Sequence, residues 1–372
     1  LDTLSTELST TCPLLKNGLC CQSSDPSQAL STLSHFIKEI NYSGEFCFEK
    51  SCHVGFRRKV KLAIGGTIQT PLVGLYQQGS HKIVDMECCL IHHENIKNFI
   101  STLKGWIKTA HIEPYNEKTH QGILRYVQCL VNEGGKLQVA LVLNQEVDVD
   151  LLLPLTTCDQ IDSLWVNNQK QRTNTIFSDQ WTLIYGPEFL TCRVMGLDFC
   201  FHPGAFCQSN LSFFELLLKD VQKFLPHLSK GLDLYAGVGI FGLSFKNFFN
   251  QVHFVETNVW AELSFKQTLK GCHLPSLTYS CEDAKECLKK HVDAECVFVD
   301  PPRKGLHKEI KPLLAQLKKG AVVIYVSCGY ESLIRDVKEL YNQGFCLEFI
   351  KAYDCFPGSG EVEILCILRL TI

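Results

Sequence analysis

The chain carries a cysteine where an apolar run stops, Tyr325-Val326-Ser327-Cys328. Upstream, Asp300-Pro301-Pro302-Arg303-Lys304-Gly305 follows a second such run. A cysteine that has lost its proton is a strong nucleophile and can bond covalently to an electron-poor carbon. A carboxylate followed by two prolines sits on a stiff turn. Together these segments point to covalent chemistry on a flat substrate rather than to a passive binding fold.

The elements that must position them have a regular order. Phe214, Leu217, Leu218, Val221 and Leu225 recur at helical spacing and predict a helix over 211–225. Short apolar runs at 232–235, 252–256, 277–280, 296–300 and 322–327 read as strands, and helical stretches separate most of them. Leu333, Ile334, Val337, Leu340 and Tyr341 predict an amphipathic helix that Gly344 ends. This alternation is that of a parallel sheet covered on both faces. Two final strands, 348–353 and 363–370, form a hairpin, so the last runs antiparallel. Ligands of such sheets bind beyond the carboxyl ends of the parallel strands. On that rim fall Gly237 and Gly239 after strand one, Glu256 ending strand two and Asp283 after strand three. Asp300 ends strand four, Cys328 ends strand five, and Glu363 starts the antiparallel strand. Chance accounts for one such placement, not for the whole row.

The glycines belong to Gly237-Val238-Gly239-Ile240-Phe241-Gly242, a G-x-G-x-x-G loop directly after a strand. It permits a tight turn and the close approach of a ligand. Glu256 can accept hydrogen bonds from ribose hydroxyls. Dinucleotide dehydrogenases and S-adenosylmethionine enzymes share this pair, so it does not choose between them.

The 372 residues suffice for two domains, with a boundary expected near 200/201. Hydrophobic content of 45% and charge of 20% are those of a globular enzyme. No apolar stretch is long enough to span a bilayer, and Leu1-Asp2-Thr3-Leu4 does not open a signal peptide, so a cytoplasmic location is expected. Twenty cysteines in such a chain read mainly as reduced core residues. A net charge of −3 does not advertise nucleic-acid binding, although Arg57, Arg58, Lys59 and Lys61 form a local basic group.

The segment Asp300–Gly305, then Ser327-Cys328, then Phe356-Pro357 with Glu363, resembles the RNA 5-methyluridine methyltransferase family. Phe206-Cys207-Gln208-Ser209-Asn210 matches that family's F-x-Q-x-N element; Ile184-Tyr185-Gly186, Gly122–Arg125 and Gly55–Val60 also fit. The resemblance runs from about residue 12 to the end, and the order and spacing of the motifs make it specific. It implies a Rossmann-like α/β fold with the seven-stranded sheet of class I methyltransferases, beside a smaller N-terminal and central α/β domain. It implies S-adenosylmethionine as cofactor and uridine C5 as target. Cys328 is then the nucleophile, helped by the start of the following helix, and Glu363 the base that removes the C5 proton. Asp300 orients cofactor and base; Gln208, Tyr235, Gly237, Gly239, Glu256 and Asp283 fall at cofactor-binding positions. Three residues depart from the family pattern. Gly329-Tyr330 follows the cysteine in place of Asn-Pro, Glu361 stands where a histidine is usual, and Ile240 replaces a frequent asparagine. A carboxylate at 361 should raise the pKa of Glu363.

Near the start, Cys12-Pro13 through Cys20-Cys21-Gln22 resembles the iron–sulfur loop of the ribosomal branch, C-P-x4-C-x2-C-Q. Cys12 and Cys21 take the first and third ligand positions, Gly18 the second, and Cys88 the fourth, with Cys20 as substitute for the second. The resemblance thus implies a 4Fe-4S cluster, complete or degenerate. It favours 23S ribosomal RNA over transfer RNA as partner, with no membrane and no obligate protein partner. Lys59–Ile64, Leu124–Val131 and Leu137–Leu143 read as strands, with Glu133-Gly134-Gly135 turning the last two into a hairpin, and Ile96–Ile107 reads as a helix. This part is expected to guide the RNA.

Three rivals are weaker. A 5-methylcytosine enzyme would place its cysteine after the proline of the strand-four motif, where Arg303 stands. A dehydrogenase rests on the glycine pattern alone. A non-catalytic RNA-binding factor has no need of Cys328 and Glu363.

Overall fold

A computed structural model of the chain describes Leu14 and residues 25–52, 54–77, 79–272 and 274–372. In chain order the elements are α1 (Ser27–Glu39), β1 (Cys47–Glu49), β2 (Lys59–Gly66), β3 (Pro71–Tyr76), β4 (Ile83–Asp85) and α2 (Glu94–Thr109). Then come β5 (Leu124–Val131), β6 (Leu137–Leu143), β7 (Ile161–Asn168), β8 (Trp181–Tyr185), β9 (Leu190–Val194), β10 (Leu197–Phe201) and α3 (Leu211–Gln222). The rest are β11 (Leu228–Leu234), α4 (Ile240–Ser244), β12 (Phe249–Val255), α5 (Val259–Thr268), β13 (Leu277–Ser280), α6 (Ala284–Lys290), β14 (Cys296–Val299), α7 (Ile310–Leu314), β15 (Val322–Ser327), α8 (Tyr330–Asn342), β16 (Phe345–Tyr353) and β17 (Glu363–Leu370). No helix among the described residues is long and apolar enough to cross a membrane.

The chain forms two compact units. Among the described residues, one contains Cys52–Arg193 and Phe201–Asn210; the other contains 25–51, Val194–Cys200 and Leu211–Ile372. From residue 25 the chain thus starts in the second unit, leaves it to build most of the first, touches the second at Val194–Cys200, and returns to it for good after Asn210.

The first unit is a seven-stranded sheet, ordered β4-β3-β2-β5-β6-β7-β8. Its pairs are antiparallel except β6 with β7. Ile96, Phe99, Ile100, Leu103, Trp106 and Ile107 of α2 share one face and pack with Val60, Leu62, Val127 and Leu141 of the sheet. The hairpin expected at Glu133-Gly134-Gly135 joins β5 to β6, with Gly135 at φ +78°.

The second unit is an eight-stranded sheet, ordered β1-β16-β17-β15-β14-β11-β12-β13. Seven of the strands are the expected ones, with β17 antiparallel to both neighbours. The eighth, β1, adds parallel to β16 at the edge, Cys47 opposite Lys351. Leu33, Phe36 and Ile37 of α1 join the same buried core as Val323, Leu333 and Ile350.

Candidate functional site

Strand register assembles the rim. In β15 and β17, Ser327 pairs with Ile364 in antiparallel register, so the next rung sets Cys328 beside Glu363. Val299 pairs with Tyr325 and with Leu234, which brings Asp300 level with Val326 and with Tyr235. Leu234 pairs with Val255, which sets Tyr235 beside Glu256. One line across the sheet therefore runs from Glu256 through Tyr235 and Asp300 to the cysteine–glutamate rung.

The loop after β11 has the backbone that the glycine pattern requires. Tyr235 (φ +60°), Gly237 (φ +54°) and Gly239 (φ +86°) are all left-handed. A Cβ at Gly237 would meet nothing within 4 Å, so the loop presents bare backbone to open space there. The Gly237 N–H donates to Glu256 Oε2 (3.3 Å), and Glu256 Oε1 accepts from the N–H groups of Thr257 (2.7 Å) and Asn258 (3.0 Å). Glu256 is thus fixed against the loop. These features fit a nucleoside-bearing cofactor over the loop, with Glu256 at hand for its hydroxyls. Asp283 is the N-cap of α6, accepting from the Lys285 N–H (2.8 Å). Buried Asp233 accepts from the Gly242 N–H (2.9 Å); burial, with Asp300 and Glu256 nearby, pushes its carboxyl up to about 8.

The third glycine is there for packing. A Cβ on Gly242 would stand 2.3 Å from Cε1 of Phe254, a fully buried ring. Gly242→Ala should cost about 1–3 kcal/mol, the usual penalty of overpacking. A urea melt checks it: the midpoint should fall with the slope unchanged.

A cleft of about 700 Å³ opens over Cys328, with Arg303, Lys304, Gly329, Glu361 and Val362 in its wall. Gly329 precedes α8, and its N–H donates to Ser327 Oγ (3.1 Å). The loop after β14 is tied to α8 by Ser332 Oγ, which donates to the Arg303 carbonyl (2.9 Å). Asp336, fully buried, accepts from the Leu306 N–H (2.7 Å), the Tyr325 hydroxyl (2.8 Å) and Lys311 Nζ (3.0 Å). One carboxylate thereby fastens the loop that carries Arg303, the strand that ends at Cys328 and the helix that follows.

Charge in the cleft is concentrated. Glu363 is 4% exposed; burial, then Asp300 and Glu361, hold its carboxyl well above the ordinary range, while Arg303 opposes them. Half-buried Cys328 has its thiol pushed up to about 11 by burial, then by Glu363 and Asp300, with Arg303 again opposing. The helix start expected to lower this pKa is outweighed, since a helix terminus contributes only about 0.3–1 kcal/mol. Glu361 does raise Glu363, as its position implied, and it also pairs with Arg303 at 2.6 Å.

Of the remaining expected residues, Gln208 is buried in the first unit. Cys12, Cys20 and Cys21 lie outside the described residues, and Cys88 is exposed just after β4. Sequence reasoning missed the Arg303–Glu361 pair and Asp336. The second had a signal: Asp336 stands on the apolar stripe of α8, between Leu333 and Val337, where a carboxylate needs buried partners.

The family described as tRNA (Uracil-5-)-methyltransferase matches residues 283–369. An uncharacterized RNA methyltransferase of Protochlamydia amoebophila is 35% identical over 330 residues, covering 85% of this chain and 86% of its own. One from Listeria innocua is 27% identical, covering 85% of this chain and 72% of its own. Among solved structures, the tRNA (uracil-54, C5)-methyltransferase of Pyrococcus abyssi, in complex with S-adenosyl-L-homocysteine, superposes with a TM-score of 0.75. It is 25% identical, and the match covers 94% of this chain and 85% of that one.

Proposed function

This chain belongs to the S-adenosylmethionine-dependent RNA uracil-C5 methyltransferases, and from that premise we propose that it methylates one uridine of a structured RNA through a covalent bond to Cys328. The observation that carries the reading is the adjacent rung of Cys328 and Glu363 at the rim, with Asp300 one strand away. Uracil C5 is too weak a nucleophile to take a methyl group unaided. The Cys328 thiolate adds to C6 and turns C5 into an enolate-like carbon. The bound cofactor is the methyl donor. Glu363 then takes the C5 proton, C5=C6 re-forms, and the sulfur leaves as thiolate. Asp300 and Gln208 orient the base and the cofactor; Tyr235, Gly237, Gly239, Glu256 and Asp283 hold the cofactor.

The base must leave its stack to reach the thiol. In this proposal the first unit grips the RNA, and 23S ribosomal RNA is the favoured substrate because of the cysteine loop. Cys12, Cys21 and Cys88, with Cys20 substituting at the position that Gly18 occupies, would hold a 4Fe-4S cluster there; iron and acid-labile sulfide in anaerobically purified protein test it. The Pyrococcus abyssi neighbour favours transfer RNA as a second reading.

Transcripts of 23S ribosomal RNA and of transfer RNA containing 5-fluorouridine should separate the two. Fluorine cannot leave as a proton, so the cognate RNA should remain bonded to the protein with the cofactor present. If neither RNA forms an adduct that survives denaturation, the covalent reading is wrong.

The Arg303–Glu361 pair gives a pH prediction. Glu361→Gln removes one charge that raises Glu363, and it frees Arg303, whose charge lowers both Glu363 and Cys328. Both changes ease ionisation, so the acid limb of the pH–kcat profile should move to lower pH. Arg303→Leu should move it the other way. Single-turnover rates across pH 5–9, compared as the displacement of the rising limb along the pH axis, are the measurement.

A further inference from the structure

We infer that the second unit holds a site for one Zn2+ ion, formed by His253 of β12 with Cys287 and His291 of α6 and its C-cap. Their ligand atoms all lie within 4.8 Å of one another. None of the three lines the cleft over Cys328.

Three independent observations support the site. First, Cys287 and His291 are four residues apart at the end of α6, the spacing that puts two ligands on one helical face. The strand supplies the third ligand; the rings of His253 and His291 lie stacked, centroids 4.5 Å apart and planes at 23°, so one ring must turn to bring both nitrogen lone pairs onto one ion. Second, Nδ1 of His291 is shut from solvent and has no hydrogen-bond partner. A buried ring nitrogen in that state is poorly satisfied, and a cation would satisfy it. Third, the ring of His253 is oriented by hydroxyls, Nδ1 with Thr278 Oγ1 at 2.7 Å and Nε2 with Ser280 Oγ at 2.9 Å. Thr278 is then the outer partner that fixes the ring of a metal-bound histidine.

The donor set chooses the ion. Two imidazoles and a thiolate suit Zn2+, at about 2.0–2.3 Å from each donor, and do not suit Mg2+ or Ca2+, which need oxygen ligands. Water completes the tetrahedron. The cationic neighbours are neutralised: Lys230 pairs with Asp293 and Lys290 with Glu282, each at 2.6 Å. On binding, the Cys287 thiol releases its proton to solvent, His253 Nε2 exchanges Ser280 for the metal, and the donors draw together.

The test uses full-length protein carrying Cys12→Ser, Cys20→Ser, Cys21→Ser and Cys88→Ser, so that the N-terminal cysteines bind nothing. It is stripped with chelator under reducing conditions and titrated with ZnCl2 against a chromophoric chelator. One Zn2+ per chain is expected, weakened by on the order of 100-fold or more when His291→Gln is added. With Co2+ a thiolate charge-transfer band should appear, and Cys287→Ser should abolish it. Cys287 is fully buried, so if that variant does not fold, half-buried His291 decides. Zn2+ uptake unchanged by His291→Gln, or no uptake at all, overturns the site.

Discussion

Cys328→Ala is expected to lose methyl transfer by on the order of 10^4-fold or more, and to lose the fluorouridine adduct altogether. The size follows from the role: no other group in the cleft wall is a thiol, and without addition to C6 the C5 carbon has no charge to donate. The loss should be confined to chemistry. Cys328 is half-buried at a strand end, and its turn is held by Ser327, Gly329 and Ser332, none of which bonds through the sulfur in the contacts described above. The variant should therefore melt like wild type and gain the same thermal shift from S-adenosylmethionine. A variant that still forms the adduct would place the nucleophile elsewhere.

Glu363→Gln should fail at a later step and leave a different trace. Its kcat should fall about 10²–10⁴-fold, the usual contribution of a positioned proton acceptor. Addition and methyl transfer come before the proton is removed, so the variant should accumulate a protein–RNA adduct on ordinary uridine, already carrying the methyl group. Labelled methyl in a denaturation-resistant band is the readout. Glutamine is close to isosteric and, like the carboxyl form that burial favours, carries no charge beside Asp300, so the fold should tolerate it. Free RNA methylated at the wild-type rate would assign the base to another group, with Glu361 the nearest alternative.

The seven main strands of the catalytic sheet were legible because each is a short apolar run bounded by turns. The rim residues were legible because function in such sheets gathers where those runs stop. Helix α2 begins two residues before its expected start because its cap is His93, whose ring accepts the Asn95 N–H, and histidine is not a usual cap. Strand β1 was not legible: three partly exposed residues carry no period, and its partner lies far along the chain. A shorter but still non-local separation of 58 positions hid the Arg303–Glu361 pair, which only the closing hairpin brings together. The direction of the Cys328 shift depended on burial and on two carboxylates from other strands, neither of which a local reading of the helix start includes.

The passage of the chain through its two units also sets an order of assembly on the ribosome. Strand β1 and helix α1 are made before the first unit, yet Cys47 must wait for Lys351, and Phe36 for a core built from the last third of the polypeptide. The first unit has its sheet partners within its own span and can close early. The catalytic sheet cannot: until β16 and β17 emerge, the apolar face of its first-made helix lacks part of the core it packs into. During synthesis that interval is when the nascent chain most needs protection, and the enzyme becomes competent only as its final strand slides between β15 and β16.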